Sequence, residues 1–219
     1  MTLDNEDVLN SIMASLGRID NIQLEDIPGI DLYMDQLTTF MEEKLRKTTR
    51  YPGEDKVLTK TMINNYAKND LLPPPVRKKY SKDHLILLIF IYYYKSVLSI
   101  NDIQTLLEPV KKKFHLSDTE ALTLSDIYKT ICGQDDEEVS FLKEDITRKF
   151  KMSQKVFADA PEETKDEMQL FSFISLLSYD VYVKKLIIEK LLDNCKAEQE
   201  QTKAKDRTKN EKKSKERHQ

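Results

Sequence analysis

Apolar residues recur at helical spacing along most of the chain, and the breaks between them fall at residues that cap or stop helices. Val8, Ile12 and Leu16 predict a short helix over residues 3–17. Ile27-Pro28-Gly29 marks a turn, after which Asp31 can cap a helix that points Leu32, Met34, Leu37, Met41 and Leu45 inward. Pro52 and Gly53 make Thr48 to Lys56 a loop. Thr59 then caps a polar helix that stops near Asn69, because Pro73, Pro74 and Pro75 follow. Ser81 opens a nearly solid apolar helix from Leu85 to Tyr94, and Ser99-Ile100-Asn101-Asp102 resembles a capping box for another.

Further along, Ser117 with Glu120, and Ser125 before Asp126, are start signals, and Gly133 is a stop. Asp136 to Phe157 carries Val139, Leu142, Ile146 and Phe150 on one face, and Pro161 fits the first turn of a long helix over roughly 162–196. No region is rich enough in alternating β-branched residues for a sizeable sheet. The pattern predicts an all-α protein.

Composition agrees with that class, with 33% charged residues, 39% hydrophobic and only 4 Gly among 219. The formal net charge of −3 hides an asymmetry: residues 1–43 carry a net −9, and residues 44–82 a net +8. Local charge governs attraction to phosphate, so a mildly acidic whole does not exclude nucleic acid. The N-terminus is acidic where a secretory signal would be basic, and Leu85 to Tyr94 is too short to span a bilayer. The expected location is the cytoplasm, without membrane contact. Cys132 and Cys195 lack metal-ligand spacing and read as buried thiols in a reducing compartment.

The basic block contains the stretch that points to function. Leu58 to Tyr80 reads as a short polar helix, a proline-stiffened turn, and a basic tip closed by a tyrosine. Asn64 and Asn65 could pair with adenine edges, and Lys60 could meet guanine or phosphate. The bland alternative is a solvated helix face, although two adjacent Asn are poor helix formers without packing value. Arg77-Lys78-Lys79 could equally be a solvated loop, but three like charges held close repel, and a phosphate relieves that repulsion. Tyr66, Tyr92, Tyr93 and Tyr94 could stack on bases; helical spacing sends three consecutive tyrosines in three directions, which favours core packing.

Leu170 to Leu192 is apolar on nearly every face and must be buried or shared with another chain. His84, His115 and His218 are isolated, and neither a Gly-rich phosphate loop nor a nucleophile motif occurs. The expectation is a protein that is not an enzyme and holds no cofactor and no metal.

Tyr66, then Leu71-Leu72-Pro73, a basic wing, Tyr80, Asp83, Leu88, Ile89, Ile91, and Leu98-Ser99-Ile100-Asn101-Asp102-Ile103 with Leu106-Leu107 follow in a characteristic order. That order resembles the winged helix-turn-helix of the MerR family. More closely, it is similar to an uncharacterised DNA-binding family of low-GC Gram-positive bacteria, a domain of unknown function, that carries a MerR-like domain. The resemblance spans residues 31–110. It implies that Thr59 to Asn69 is the major-groove helix, Leu72 to Tyr80 the wing, and Asp83 to Leu107 the supporting helix pair.

The DNA contacts expected on this basis are Thr59, Lys60, Thr61, Asn64, Asn65 and Lys68 on the helix, and Arg77, Lys78, Lys79 and Tyr80 on the wing. Two departures from MerR relatives stand out: the longer loop Thr48 to Lys56, and Asp70 where they place Gly, which strains a left-handed residue there. The metal-sensing Cys ligands are missing, so DNA binding carries over and metal sensing does not.

The organisation expected is therefore a helical extension over 1–30, the MerR-like domain over 31–110, a helical region over 111–196 for dimerisation or an effector, and a disordered charged tail over 197–219. The functional expectation is a homodimeric, sequence-specific regulator of transcription that binds double-stranded DNA. No residue pattern names a small-molecule effector. The alternative is a helical protein-interaction adaptor that does not bind DNA.

Overall fold

The computed structural model describes residues 5–16, 22–51, 53–114, 122–132 and 135–216. These residues are mostly helical. In chain order they form α1 (Asn5–Leu16), β1 (Leu32–Tyr33), α2 (Met34–Leu45), α3 (Lys60–Lys68), β2 (Lys79–Tyr80), α4 (Lys82–Tyr94), α5 (Ile100–Lys111), α6 (Leu124–Cys132), α7 (Asp135–Lys155) and α8 (Glu162–Glu216). The one sheet pairs β1 with β2 antiparallel, Leu32 opposite Tyr80 and Tyr33 opposite Lys79. No helix among the described residues is long and apolar enough to cross a membrane.

Helix α4 is the axis of the main core. Its residues from Leu85 to Ile91 have no polar face, and none is more than 4% exposed. A helix apolar all round must be surrounded. Leu37, Met41 and Leu45 of α2, Ile63 and Tyr66 of α3, Ile103 and Leu107 of α5, and Leu124 and Tyr128 of α6 join it in one cluster. Its entry is secured at Ser81, whose backbone N–H donates to Nδ1 of His84 at 3.0 Å. The buried His84 ring lies edge-on between Tyr80 and Phe114, at centroid distances of 5.3 and 4.7 Å. Tyr92, Tyr93 and Tyr94 are half-buried against the same cluster, the core role that helical spacing predicts.

The expected caps hold at Thr59, Ser81 and Ser99 and shift elsewhere. Asp31 does not cap α2. Tyr33 does, its backbone N–H donating to Oε1 of Gln36 at 2.9 Å, because Leu32 is drawn into the β1–β2 pairing. Helix α6 starts two residues earlier than Ser125 suggests, because Thr123 and Asp126 cap each other reciprocally. The signals at Ser117, Glu120 and Gly133 lie outside the described residues. The core also reaches beyond 31–110, drawing in Ile22, Ile27, Leu124 and Tyr128. The Tyr128 hydroxyl donates to the Ile22 carbonyl at 2.6 Å, tying the two ends of this unit together.

A second, smaller cluster is built from Ile146 and Phe150 of α7 and Phe173 of α8, with Leu9, Ile12, Met13 and Leu16 of α1 packed onto it. Helix α8 then passes from α7 to α5. Lys196 donates to Oδ1 of Asp102 at 2.8 Å, and Gln199 donates to the Thr105 carbonyl at 3.3 Å. The helix runs to Glu216, past the end near 196 that the sequence suggests. The residues after 196 lack apolar groups to pack, but Ala, Glu, Gln and Lys are good helix formers. Of the two cysteines, Cys132 is half-buried and Cys195 is exposed on α8, so the buried-thiol expectation fails at Cys195.

Hydrogen bonds from Lys196 and from Ser99 hold the Asp102 carboxyl below the usual carboxylate range. A carboxyl depressed on folding stabilises fully above its unfolded value, about 3.9, and loses that contribution as pH falls through the folded value. The α5–α8 contact is therefore expected to be complete at neutral pH and to loosen below about pH 4. Asp102→Asn should produce the same loosening at neutral pH, seen as faster proteolysis in α8 beyond Leu192. Unchanged cleavage in the variant would contradict the role given to this pair.

Candidate nucleic-acid interface

Helix α3 is short, and its two faces are chemically distinct. At about 100° per residue, Met62, Ile63, Tyr66 and Ala67 share one side. Ile63 and Tyr66 are buried and the other two half-buried. Lys60, Thr61, Asn64, Asn65 and Lys68 occupy the remaining arc, and all five are exposed. Thr59 opens the helix, its side-chain oxygen accepting from the Met62 N–H at 3.1 Å. Burial pushes the Tyr66 phenol above its ordinary range, so it is a neutral part of the packed side.

The end of α3 depends on one left-handed residue. Asp70 has φ 54°, the conformation for which glycine is the usual choice. The backbone N–H groups of Leu71 and Leu72 both donate to the Tyr66 carbonyl, at 2.9 and 3.2 Å, which closes the helix. Lys111 of α5 holds the strained residue from outside, donating to the Asp70 carbonyl at 2.6 Å and to its Oδ2 at 3.3 Å. Leu71 and Leu72 are then buried, and the three prolines lead out to a hairpin.

That hairpin is tight. Val76 and Lys79 exchange backbone hydrogen bonds at 3.1 and 2.9 Å, leaving Arg77 and Lys78 as a two-residue turn. Both turn residues have positive φ, 50° and 64°. Two left-handed central residues match the right-handed twist of the flanking strands, and Asn-Gly is the usual sequence for the job. Here two long cationic side chains take those positions, at a cost of roughly 1–2 kcal/mol each. Both are exposed, and among the described residues no carboxylate pairs with either.

The base of the hairpin is joined to α3 through residues 33–35. The Lys79 ammonium sits over the Tyr33 ring at 5.2 Å, and Asp35, two positions on, pairs with Lys60 in the first turn of α3. The basic hairpin and the polar helix face are thus set side by side. Tyr80 differs from the expectation of a contact residue: it is 3% exposed, with its ring against His84, and it anchors the hairpin to α4. Alternation along β2 explains this, since Lys79 outward requires Tyr80 inward. Sequence reasoning missed Tyr33, Asp35 and Lys111. Each acts on a partner 25 to 46 positions away in the chain, which no local pattern reveals.

Among the described residues, no group of three or more His, Cys, Asp or Glu could hold a metal ion. The molecule is thus a mostly helical protein with a polar helix and a strained basic hairpin set beside each other. The chain belongs to the family described as Domain of unknown function (DUF1836), whose model matches residues 22–131. These bounds take in both Ile22 and Tyr128, the two residues that the hydrogen bond joins. No curated protein and no solved structure matches the chain.

The turn residues provide a test of the strain. Replacing Arg77 by Asn and Lys78 by Gly should raise the unfolding free energy by about 1–2 kcal/mol, because the left-handed cost is relieved. Urea unfolding of the double variant checks this. A decrease in stability would mean that the cationic side chains contribute more to the fold than the backbone strain removes.

Proposed function

We propose that this protein is a MerR-like winged helix-turn-helix regulator of transcription that binds double-stranded DNA sequence-specifically in the cytoplasm. The observation that carries the reading is the pairing of α3's exposed Lys60, Thr61, Asn64, Asn65 and Lys68 with a hairpin tip that holds two cations in strained conformations. Strain of this kind is retained where it serves a function. In this reading α3 enters the major groove and Asn64 and Asn65 meet base edges, while Arg77, Lys78 and Lys79 clamp neighbouring phosphates. Thr59 serves as cap and Tyr80 as anchor. The mechanism is occupancy of the operator.

The test is retention of promoter fragments, beginning with the gene's own upstream region, by the purified chain at physiological salt. Affinity should fall linearly in log salt. Replacing Arg77, Lys78 or Lys79 singly by Ala should weaken binding to every sequence alike and reduce the salt slope by about one unit. Unchanged affinity in the triple variant would remove the hairpin from the mechanism.

The working unit in this proposal is a homodimer, matching paired operator half-sites. Its support is α8, where Phe171, Tyr179, Tyr182, Leu186 and Leu191 are exposed in the single chain. Leu186→Asp should lower the mass in solution from dimer to monomer at micromolar concentration. A monomeric mass for the unaltered chain would overturn the homodimer. The same exposed apolar surface favours a second reading, a protein-interaction adaptor without DNA binding. Apolar docking lacks the steep salt dependence of phosphate contacts, so the salt titration separates the two.

A further inference from the structure

Between the two apolar clusters lies a cavity of about 1060 Å³, walled by α1, by the 3-10 turn Arg46–Thr48 with the loop after it, and by the C-terminal end of α4. This is at the upper end of the size range of small-molecule sites, and a junction between packed units is where such sites concentrate. Part of its lining is apolar: Ile12 and Leu16 of α1, and the Tyr92 and Tyr93 rings, which meet edge-on at 5.5 Å. The rest is polar, with serine and threonine residues and a net positive charge. Lys47, Lys56 and Lys95 line the cavity against a single carboxylate, Asp55, whose Oδ2 accepts from the Tyr51 backbone N–H at 2.9 Å.

Lys95 is the informative residue. Its ammonium donates to the Val57 carbonyl at 2.9 Å and lies 4.7 Å from the centre of the Tyr92 ring, both neutral partners. Among the described residues no carboxylate pairs with Lys47, Lys56 or Lys95. Burial without a counter-charge pushes the Lys95 ammonium below its ordinary range. A half-buried cation held only by a carbonyl and a ring is a receptor for an anion. The neighbouring Tyr92 hydroxyl, 2.6 Å from the Thr48 hydroxyl oxygen, adds a polar group on the same wall.

We propose that this cavity binds an organic anion, with its carboxylate or phosphate head at Lys47, Lys56 and Lys95 and its apolar body against Tyr92, Tyr93, Ile12 and Leu16. Occupancy acts on α3 through one contact. Val57 lies two residues before Thr59, the cap of α3, and the Lys95 bond fastens it to α4. A bound anion draws the Lys95 ammonium toward itself and loosens that fastening. The ligand therefore lowers DNA affinity, a regulatory consequence that rests on the DNA-binding reading above, whereas the site itself does not. Coupling of this kind is reciprocal, so DNA weakens ligand binding by the same factor.

Calorimetric titration of the full chain without DNA tests the site, with decanoate, decyl phosphate, decanol and inorganic phosphate as probes. Decanoate or decyl phosphate should bind measurably more tightly than decanol and than inorganic phosphate, and the tighter of the two identifies the head group. Lys47 and Lys56 are exposed, so Lys47→Ala with Lys56→Ala leaves the fold intact and should weaken the tighter probe about tenfold. Equal binding of decanol, or no change in the double variant, would overturn the site. Amide hydrogen exchange over residues 57–63, again without DNA, should speed up on saturation with that probe; unchanged exchange would overturn the coupling. A chain that passes both tests yet retains no DNA keeps the site and loses the regulator reading. A chain that retains DNA but binds no probe loses the site alone.

Discussion

Everything in the main unit depends on the burial of α4 on all sides. A helix whose Leu85 to Ile91 segment has no polar face gains roughly 1.5–3 kcal/mol for each large side chain fully removed from water. It can do so only if other elements close around it. Helices α2, α3, α5 and α6 each contribute a single apolar stripe to that closure and leave their other faces to solvent. The polar face of α3 is a consequence: Ile63 and Tyr66 are committed to the core, which turns Lys60, Asn64 and Lys68 outward together. Rigidity of the candidate interface comes from the depth at which its opposite side is anchored.

Local strain is concentrated around this interface. Asp70, Arg77 and Lys78 all have positive φ, and they fall within nine consecutive residues between α3 and β2. The surroundings hold two of these features in place. Lys111 grips Asp70 from α5, and the Val76–Lys79 hydrogen bonds, with Tyr80 locked against His84, close the hairpin. A glycine at any of the three positions would relax the backbone, but at the turn it would delete a cation. Stability and phosphate attraction make opposite demands on Arg77 and Lys78.

The second cluster is looser in a physical sense. Among the described residues it has three buried apolar residues, against twenty-six in the main one. Helix α8 belongs partly to both, touching α7 near Phe173 and α5 near Leu192 and Lys196, with an exposed apolar surface between. That arrangement leaves the cavity beside α1 at the seam between the two clusters. The seam, the Lys95–Val57 bond and the cap of α3 form a short physical path from the cavity to the candidate interface.

What the chain determined on its own was the set of helices, because caps, apolar spacing and proline stops act within a few residues. Thr59, Ser81, Ser99 and the three prolines marked their boundaries, and Lys60, Thr61, Asn64, Asn65 and Lys68 could be read as one exposed face. At Asp70 it was the resemblance to MerR relatives, which place Gly there, that implied a strained left-handed residue, and its φ is 54°. Boundaries moved where a distant partner intervened: β2 took Leu32 away from α2, and contacts with α5 accompany the extension of α8 past residue 196. Tyr80 turned inward because His84 was waiting across the start of α4. The Tyr33–Lys79, Asp35–Lys60 and Lys111–Asp70 pairs, and the cavity with its lysines, belong to the tertiary structure alone. Each requires two segments far apart in sequence to meet, and only the closing of the chain around α4 decides which segments those are.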